Sequence, residues 1–253
     1  MSNYHYEMLP ISRKAGASVT QRVSYISGRT LHDTFNGRTY SCTRNDIAYC
    51  EIFLPENAPQ QLYDPQKLVT ALDEAEIRKD SRTGRETIAA LPNELSMEEN
   101  VKIVKNFAEE YILSDGLCVI AAIHKGENAE DPSKANPHVH FIASTRAVGA
   151  NGFCRKKLRF CDECLYLIRC REAWAREINA AYERNGYDIR VDHRSLRDQG
   201  IQREPVNHLS RYDIEREKHG ERTLAGDRRR EIEARNAELE RQRMHEREYN
   251  RAR

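Results

Sequence analysis

Two apolar runs that each carry histidine at one end constrain this chain more than any other feature. Asn136-Pro137-His138-Val139-His140-Phe141-Ile142 opens with two histidines one residue apart, and Leu117-Cys118-Val119-Ile120-Ala121-Ala122-Ile123 closes on His124. Side chains at i and i+2 of a strand leave from the same face. His138 and His140 therefore point one way, while Val139 and Phe141 point into packing on the other. Between the runs, Lys125 to Asn136 is polar and contains Gly126 and Pro132, a loop composition. If the runs pair as an antiparallel hairpin, the last residue of the first lies beside the first residue of the second. His124 then meets His138 and His140, and three neutral imidazoles converge on one point. Such a set is a metal site with positions left open for substrate. A lone histidine is usually a surface or hydrogen-bonded residue, and a pair at i, i+2 arises by chance; the third, at the paired end, favours the metal reading.

At 253 residues the chain has room for a genuine buried core, in one large or two small domains. Hydrophobic residues make up 39% and charged residues 32%, with a mean hydropathy of −0.82. No apolar stretch approaches the roughly 20 residues of a membrane helix, and Met1 to Tyr6 lacks the pattern of a signal peptide. A soluble cytoplasmic protein is expected. Seven cysteines without an export signal do not make a disulfide framework.

A net charge of +1 does not by itself mark a nucleic-acid partner. Its distribution is more telling. Arg146, Arg155, Lys156, Lys157 and Arg159 follow the histidine run with no acid among them. Beside a metal site, such a stripe suits a phosphate-bearing substrate; without the histidines it would read as a solvated loop.

Along the chain, Tyr4 to Leu9 reads as a first strand. Ser18 caps a short helix, Val19 to Ser27, that stops at Gly28. Leu31 to Asn45 is polar and turn-rich, and Ala48 to Leu54 reads as a second strand. Asp64-Pro65 opens a helix with Leu68, Ala71, Leu72 and Ala75 on one face. Arg85 to Leu91 is a third strand, closed by Pro92. Ser96 and Glu99 form a capping box before Val101, Val104, Ala108, Tyr111 and Ile112 at helical spacing. The histidine hairpin supplies the fourth and fifth strands. Cys164 to Asn185 is a helix whose inward stripe is read as Leu167, Ile168, Trp174, Ile178 and Ala181, with Gly186 as its stop. The expected fold is α+β, a central antiparallel five-stranded sheet flanked by helices. From about Tyr212 acids and bases alternate densely, as in a solvated helix held by i,i+4 pairs or one docked on a partner. Residues 1–210 are expected to form the main domain and 211–253 a charged helical extension.

Cys154, Cys161, Cys164 and Cys170 invite a zinc reading. Only Cys161 and Cys164 are suitably spaced, and Cys170 falls inside the predicted helix, so buried or surface thiols are favoured. The turn Asp192-His193-Arg194 reads as a cap and ion pair rather than a catalytic group.

The histidine hairpin and four further stretches resemble the MobA/MobL family of plasmid mobilisation relaxases, within the class of nucleases with a histidine–hydrophobe–histidine motif. The stretches are Tyr25-Ile26-Ser27-Gly28, Glu51-Ile52-Phe53-Leu54-Pro55-Glu56-Asn57-Ala58-Pro59, Ala90-Leu91-Pro92-Asn93-Glu94-Leu95, and Val191-Asp192-His193-Arg194-Ser195 through Gln199-Gly200-Ile201, with Pro205 and His208 following. The likeness runs from the first strand to about Asn236.

The resemblance implies that Tyr25 is the nucleophile, that His124, His138 and His140 hold a divalent metal, and that Glu94 or Glu86 is a supporting acid. Nothing else in the sequence singles out Tyr25 among twelve tyrosines. The implied reaction is strand-specific nicking of single-stranded DNA at a plasmid transfer origin, through a 5′-phosphotyrosine that later allows rejoining. Manganese or magnesium is the expected metal, with nickel or zinc also suited to imidazole. Arg155, Lys156, Lys157 and Arg159 are expected to contact the DNA backbone. Accessory mobilisation and coupling proteins are the expected partners. The rivals are a rolling-circle replication initiator, a metallohydrolase that forms no tyrosine adduct, and a non-catalytic DNA-binding protein with a structural metal.

Overall fold

A computed structural model describes residues 4–126, 131, 135–206 and 209–251; Pro132 and His208 of the stretches above lie outside them. The chain divides into two compact units, Met1–His193 and Arg194–Arg253.

The first unit is built on five antiparallel strands: β1 (Tyr6–Ser12), β4 (Ile47–Phe53), β5 (Arg82–Ala90), β6 (Val119–His124) and β7 (His138–Ala143), in the order β1-β5-β7-β6-β4. These are the five strands expected, with ends displaced by a few residues. Two short hairpins accompany the sheet. The turn-rich stretch after residue 30 contains β2 (Leu31–Asp33) paired with β3 (Arg38–Tyr40), and the basic stretch is the pair β8 (Arg146–Gly149) and β9 (Gly152–Lys157), not an irregular loop.

Strand alternation divides the core. Val119, Ala121, Ile123, Val139 and Phe141 pack on one side with α3 (Met97–Phe107) and α4 (Cys164–Arg184). Ile120, Ala122 and Ile142 pack on the other with α1 (Val19–Ser27) and α2 (Pro65–Glu74). α1 begins where the Ser18 side chain accepts from the Gln21 amide and ends at Gly28, whose positive φ ends the helix in the left-handed region. Its Val19, Val23 and Ile26 are fully buried, each contributing about 1.5–3 kcal/mol. The helix is thus fixed on the sheet.

In α4 the inward stripe is Tyr166, Cys170, Ala173, Trp174, Ile178 and Ala181. Ile168 faces out at 46% exposure, because it lies two residues from both Tyr166 and Cys170, on the opposite side of the turn. Past Phe107 the helical pattern of α3 widens into a π-turn over Ala108–Ile112 before a single 3₁₀ turn and Gly116.

The second unit begins at Arg194, ahead of the boundary the charge pattern suggests. The reason is local: Glu204 pairs with Arg235 at 2.9 Å and accepts from Asn236, which ties the 194–206 segment to a long helix. The charged stretch is two helices, α5 (Arg211–Lys218) and α6 (Leu224–Arg251), broken at Gly220. Arg229–Glu233 is an i,i+4 pair of the kind expected. Among the described residues no helix is long and apolar enough to cross a membrane.

Candidate active site

The register of the β6–β7 hairpin sets His124 directly opposite His138. Strand parity then turns His124, His138 and His140 onto one face, beneath α1. One ring nitrogen from each lies within 4.8 Å of the others.

The remaining ring nitrogens show which tautomer each histidine adopts. His140 Nδ1 is 3.1 Å from Glu86 Oε1, His138 Nδ1 is 2.8 Å from the Asn136 carbonyl, and His124 Nε2 is 3.0 Å from the Ile26 carbonyl. Each of these nitrogens donates its proton to an oxygen, leaving a lone pair on the opposite nitrogen. His124 Nδ1 and His140 Nε2 are buried and have no hydrogen-bond partner among the described residues. A buried polar atom left unpaired costs about 1–3 kcal/mol. Two such atoms beside a third imidazole form a donor set suited to a divalent transition ion, and the outer hydrogen bonds are those that orient metal ligands.

Electrostatics favour neutral rings. Burial pushes His124 down to about 4, helped by His140, Arg44 and His138 and opposed by the Ile26 carbonyl. Burial likewise lowers His138, against the pull of the Asn136 carbonyl. Both rings are therefore lone-pair donors at neutral pH.

Tyr25 projects from the last turn of α1 onto this cluster. Its ring centroid is 6.0 Å from those of both His124 and His140, edge-on at 73° and 79°. The Ile26 carbonyl that orients His124 belongs to the next residue, so one helix end carries the tyrosine and orients one of the three imidazoles.

The two candidate acids separate. Glu86 is buried on β5, diagonal to His140 across the strand pair, with Arg22 Nε 3.5 Å from its other oxygen. Glu94 is exposed and turned away: its carboxylate accepts from Tyr182 Oη of α4, on the other side of the sheet, and its carbonyl accepts from Tyr187. Strand parity places Glu86, Ile88 and Ala90 on one face, but choosing Glu86 also requires the β5–β7 register.

The basic stripe is not brought to the histidines. β7 runs from His138 to Ala143, so the hairpin that follows it emerges about 17 Å away at the opposite end of the strand. Arg155, Lys156 and Arg159 are exposed there. Lys157 is committed to Glu76 at 2.8 Å and to the Arg82 carbonyl, and Arg146 to Glu76 at 2.8 Å. Arg44 and Asp46, which nothing in the sequence flagged, do reach the site: the Arg44 guanidinium lies 4.4 Å over the Tyr25 ring.

Fold and site together define a class: an α+β domain with an open three-histidine centre on a sheet face, beneath a helix that bears a tyrosine. The chain belongs to the MobA/MobL family, which it matches over residues 17–219. It is similar to the "Probable mobilization protein MobA" of Bifidobacterium longum (strain NCC 2705), 27% identical over 82% of this chain and 43% of that protein. It is also similar to "Mobilization protein A" of Escherichia coli, 29% identical over 94% of this chain and 34% of that protein. The chain thus spans less than half the length of these relatives. A solved structure described as "Molecular Basis of Vancomycin Resistance Transfer in Staphylococcus aureus" superposes with a TM-score of 0.68 at 27% identity, covering 76% of this chain and 98% of that one.

Proposed function

We propose that this chain nicks one strand of a plasmid transfer origin and holds the cut end covalently on Tyr25, so that the strand can later be rejoined. The observation that carries this reading is the position of Tyr25, T-shaped to two of three imidazoles that bring one ring nitrogen each within 4.8 Å of the others. In the forward step Tyr25 Oη forms a bond to phosphorus as the bond to the 3′ oxygen breaks. The phenolic proton departs and the 3′ oxygen takes one up. The phosphotyrosine keeps the energy of the original linkage, and the reverse attack by a 3′-hydroxyl restores the strand without ATP.

His124, His138 and His140 would hold the divalent ion. When bound, the ion supplies Lewis-acid polarisation of the scissile phosphate, worth several kcal/mol. Glu86 holds the His140 ring in the tautomer that presents Nε2, and the Ile26 carbonyl does the same for His124 Nδ1. Manganese suits this all-nitrogen set better than magnesium, which prefers oxygen. Exposed Arg155, Lys156 and Arg159 would contact DNA backbone some distance from the scissile bond. We assign the nickase to residues 1–210, with 211–253 as a charged helical extension, working in the cytoplasm with accessory mobilisation and coupling proteins.

The test is a covalent adduct. With manganese and a single-stranded oligonucleotide of the cognate origin, the protein should form a species stable to denaturation, with the DNA joined through its 5′ phosphate. Tyr25→Phe should bind the oligonucleotide and form none. Cleavage without an adduct, or an adduct at full yield in Tyr25→Phe, contradicts the assignment.

A further inference from the structure

We propose that Arg44, braced by Asp46, is a positioning residue that holds the ring of Tyr25 in line against the histidine cluster. The inference rests on the reading of Tyr25 as nucleophile. Tyr25 is half-buried at the end of α1, T-shaped to the imidazoles of His124 and His140. The Arg44 guanidinium lies over its ring face, 4.4 Å from the centroid.

Arg44 is itself held. Its Nε and Nη2 donate to the two carboxylate oxygens of Asp46 at 2.8 and 2.5 Å, a fork that fixes the guanidinium plane. Asp46 is held in turn, because its carbonyl accepts from the Lys125 amide at 2.8 Å, one residue past His124, and the next residue, Ile47, pairs with His124. Ring, guanidinium, carboxylate and the metal-ligand strand thus form one closed circuit.

The backbone is shaped to allow it. A Cβ at Gly28 would lie 3.0 Å from Ile47 Cδ1, so a larger residue there would press on the 42–47 segment where it closes over the end of α1. Gly28 also holds φ at +67, where other residues are strained. Hydrogen bonds from Arg44, against the cost of burial, pull Asp46 down to about 2.

Arginine is suited to this task and lysine is not. A planar guanidinium stacks on a ring while its edge makes a bidentate fork; an ammonium does one or the other. Because a misplacement of about 1 Å can cost on the order of a hundredfold in rate, a loose tyrosine is expensive.

The test uses the full chain with manganese and saturating origin oligonucleotide, and reads the single-turnover rate of adduct formation in Arg44→Gln, Arg44→Lys, Asp46→Asn and the Arg44→Gln/Asp46→Asn double variant. Arg44→Gln should slow adduct formation about tenfold to a hundredfold, while oligonucleotide and manganese affinities stay within about twofold. Arg44→Lys should not restore the rate. Asp46→Asn should slow it in the same direction, and the double variant should be no slower than Arg44→Gln, because the two act through one brace. A second readout needs neither DNA nor metal. The Tyr25 ring resonances, identified by their loss in Tyr25→Phe, should pass from slow to fast ring flipping in Arg44→Gln and Arg44→Lys. A wild-type rate in Arg44→Gln or Asp46→Asn overturns the inference, as does weakened DNA binding with an unchanged saturated rate, which would make Arg44 a DNA contact. If wild type forms no adduct, the nucleophile reading fails instead, and the ring-flip comparison still decides whether the brace exists.

Discussion

The two ends of β7 treat buried polar groups in opposite ways. At the His138 end, His124 Nδ1 and His140 Nε2 are buried with no partner among the described residues. Beyond Ala143, Glu76 has a side chain only 2% exposed, yet it takes Arg146 and Lys157 at 2.8 Å and Thr145 at 2.9 Å. Arg85, also buried, is shared between Asp162 at 3.0 Å and the carbonyls of Ser144 and Leu158. Satisfied charges at one end hold the β8–β9 hairpin to the sheet. The unpaired ring nitrogens at the other end lower stability, a cost that a bound ligand would offset. Pairing state, more than charge or residue type, separates the structural end from the proposed site.

The largest effect that sharpens this contrast is on stability. Glu76→Gln leaves Arg146 and Lys157 without their buried counter-charge and should cost the first unit about 3–5 kcal/mol in urea unfolding. Tyr25→Phe, at the other end, should change stability by less than about 0.5 kcal/mol. The same carboxylate predicts a pH dependence. Burial opposes its charge, but hydrogen bonds from Arg146, Lys157 and Thr145 outweigh that and hold Glu76 below its ordinary value of 4.5. A group lowered on folding contributes stability above its unfolded value and loses it as pH falls through the folded one. Wild-type stability should therefore decline below pH 4.5, with a shallower decline in Glu76→Gln. Equal slopes in the two proteins would mean the ion pairs contribute nothing.

Next in size is the support of the histidines. Glu86→Gln should weaken manganese binding about 10–100-fold by loosening the His140 tautomer. Glu94→Gln should leave it unchanged, since that carboxylate is engaged with Tyr182. Equal losses in both variants would erase the distinction between the two acids.

That distinction also shows what a sequence can and cannot convey. The histidine hairpin is legible because parity and loop closure are local: His138 and His140 share a face in any strand, and His124 ends the neighbouring run. The α1 caps at Ser18 and Gly28 are legible for the same reason. Glu86 and Glu94 are not separable, because the choice depends on the register of β5 against β7, set by pairing across 54 residues of chain. Arg44 and Asp46 lie in a stretch with no periodicity, and only the closure of residues 42–47 over α1 brings them to Tyr25. The basic stripe was expected beside the histidines because it follows their strand. The direction of β7 carries it to the far end instead.

The smallest effect tests that far end. Lys156→Ala should weaken DNA binding across all sequences and reduce the salt slope by about 0.7, the loss of one single-strand phosphate contact. Lys157→Ala should chiefly lower stability, because its ammonium already faces Glu76. A slope change in Lys157→Ala with stability intact would place that lysine among the DNA contacts and blur the contrast between the two ends.

The central claim, that the unpaired nitrogens are the ligands of an open metal centre, is tested most directly by calorimetric titration of manganese into wild type and His140→Ala without DNA. One ion should bind per wild-type chain, and His140→Ala should lose most of the affinity, since an open three-ligand site has no spare donor. Unchanged affinity in His140→Ala, or no binding to wild type, would contradict it.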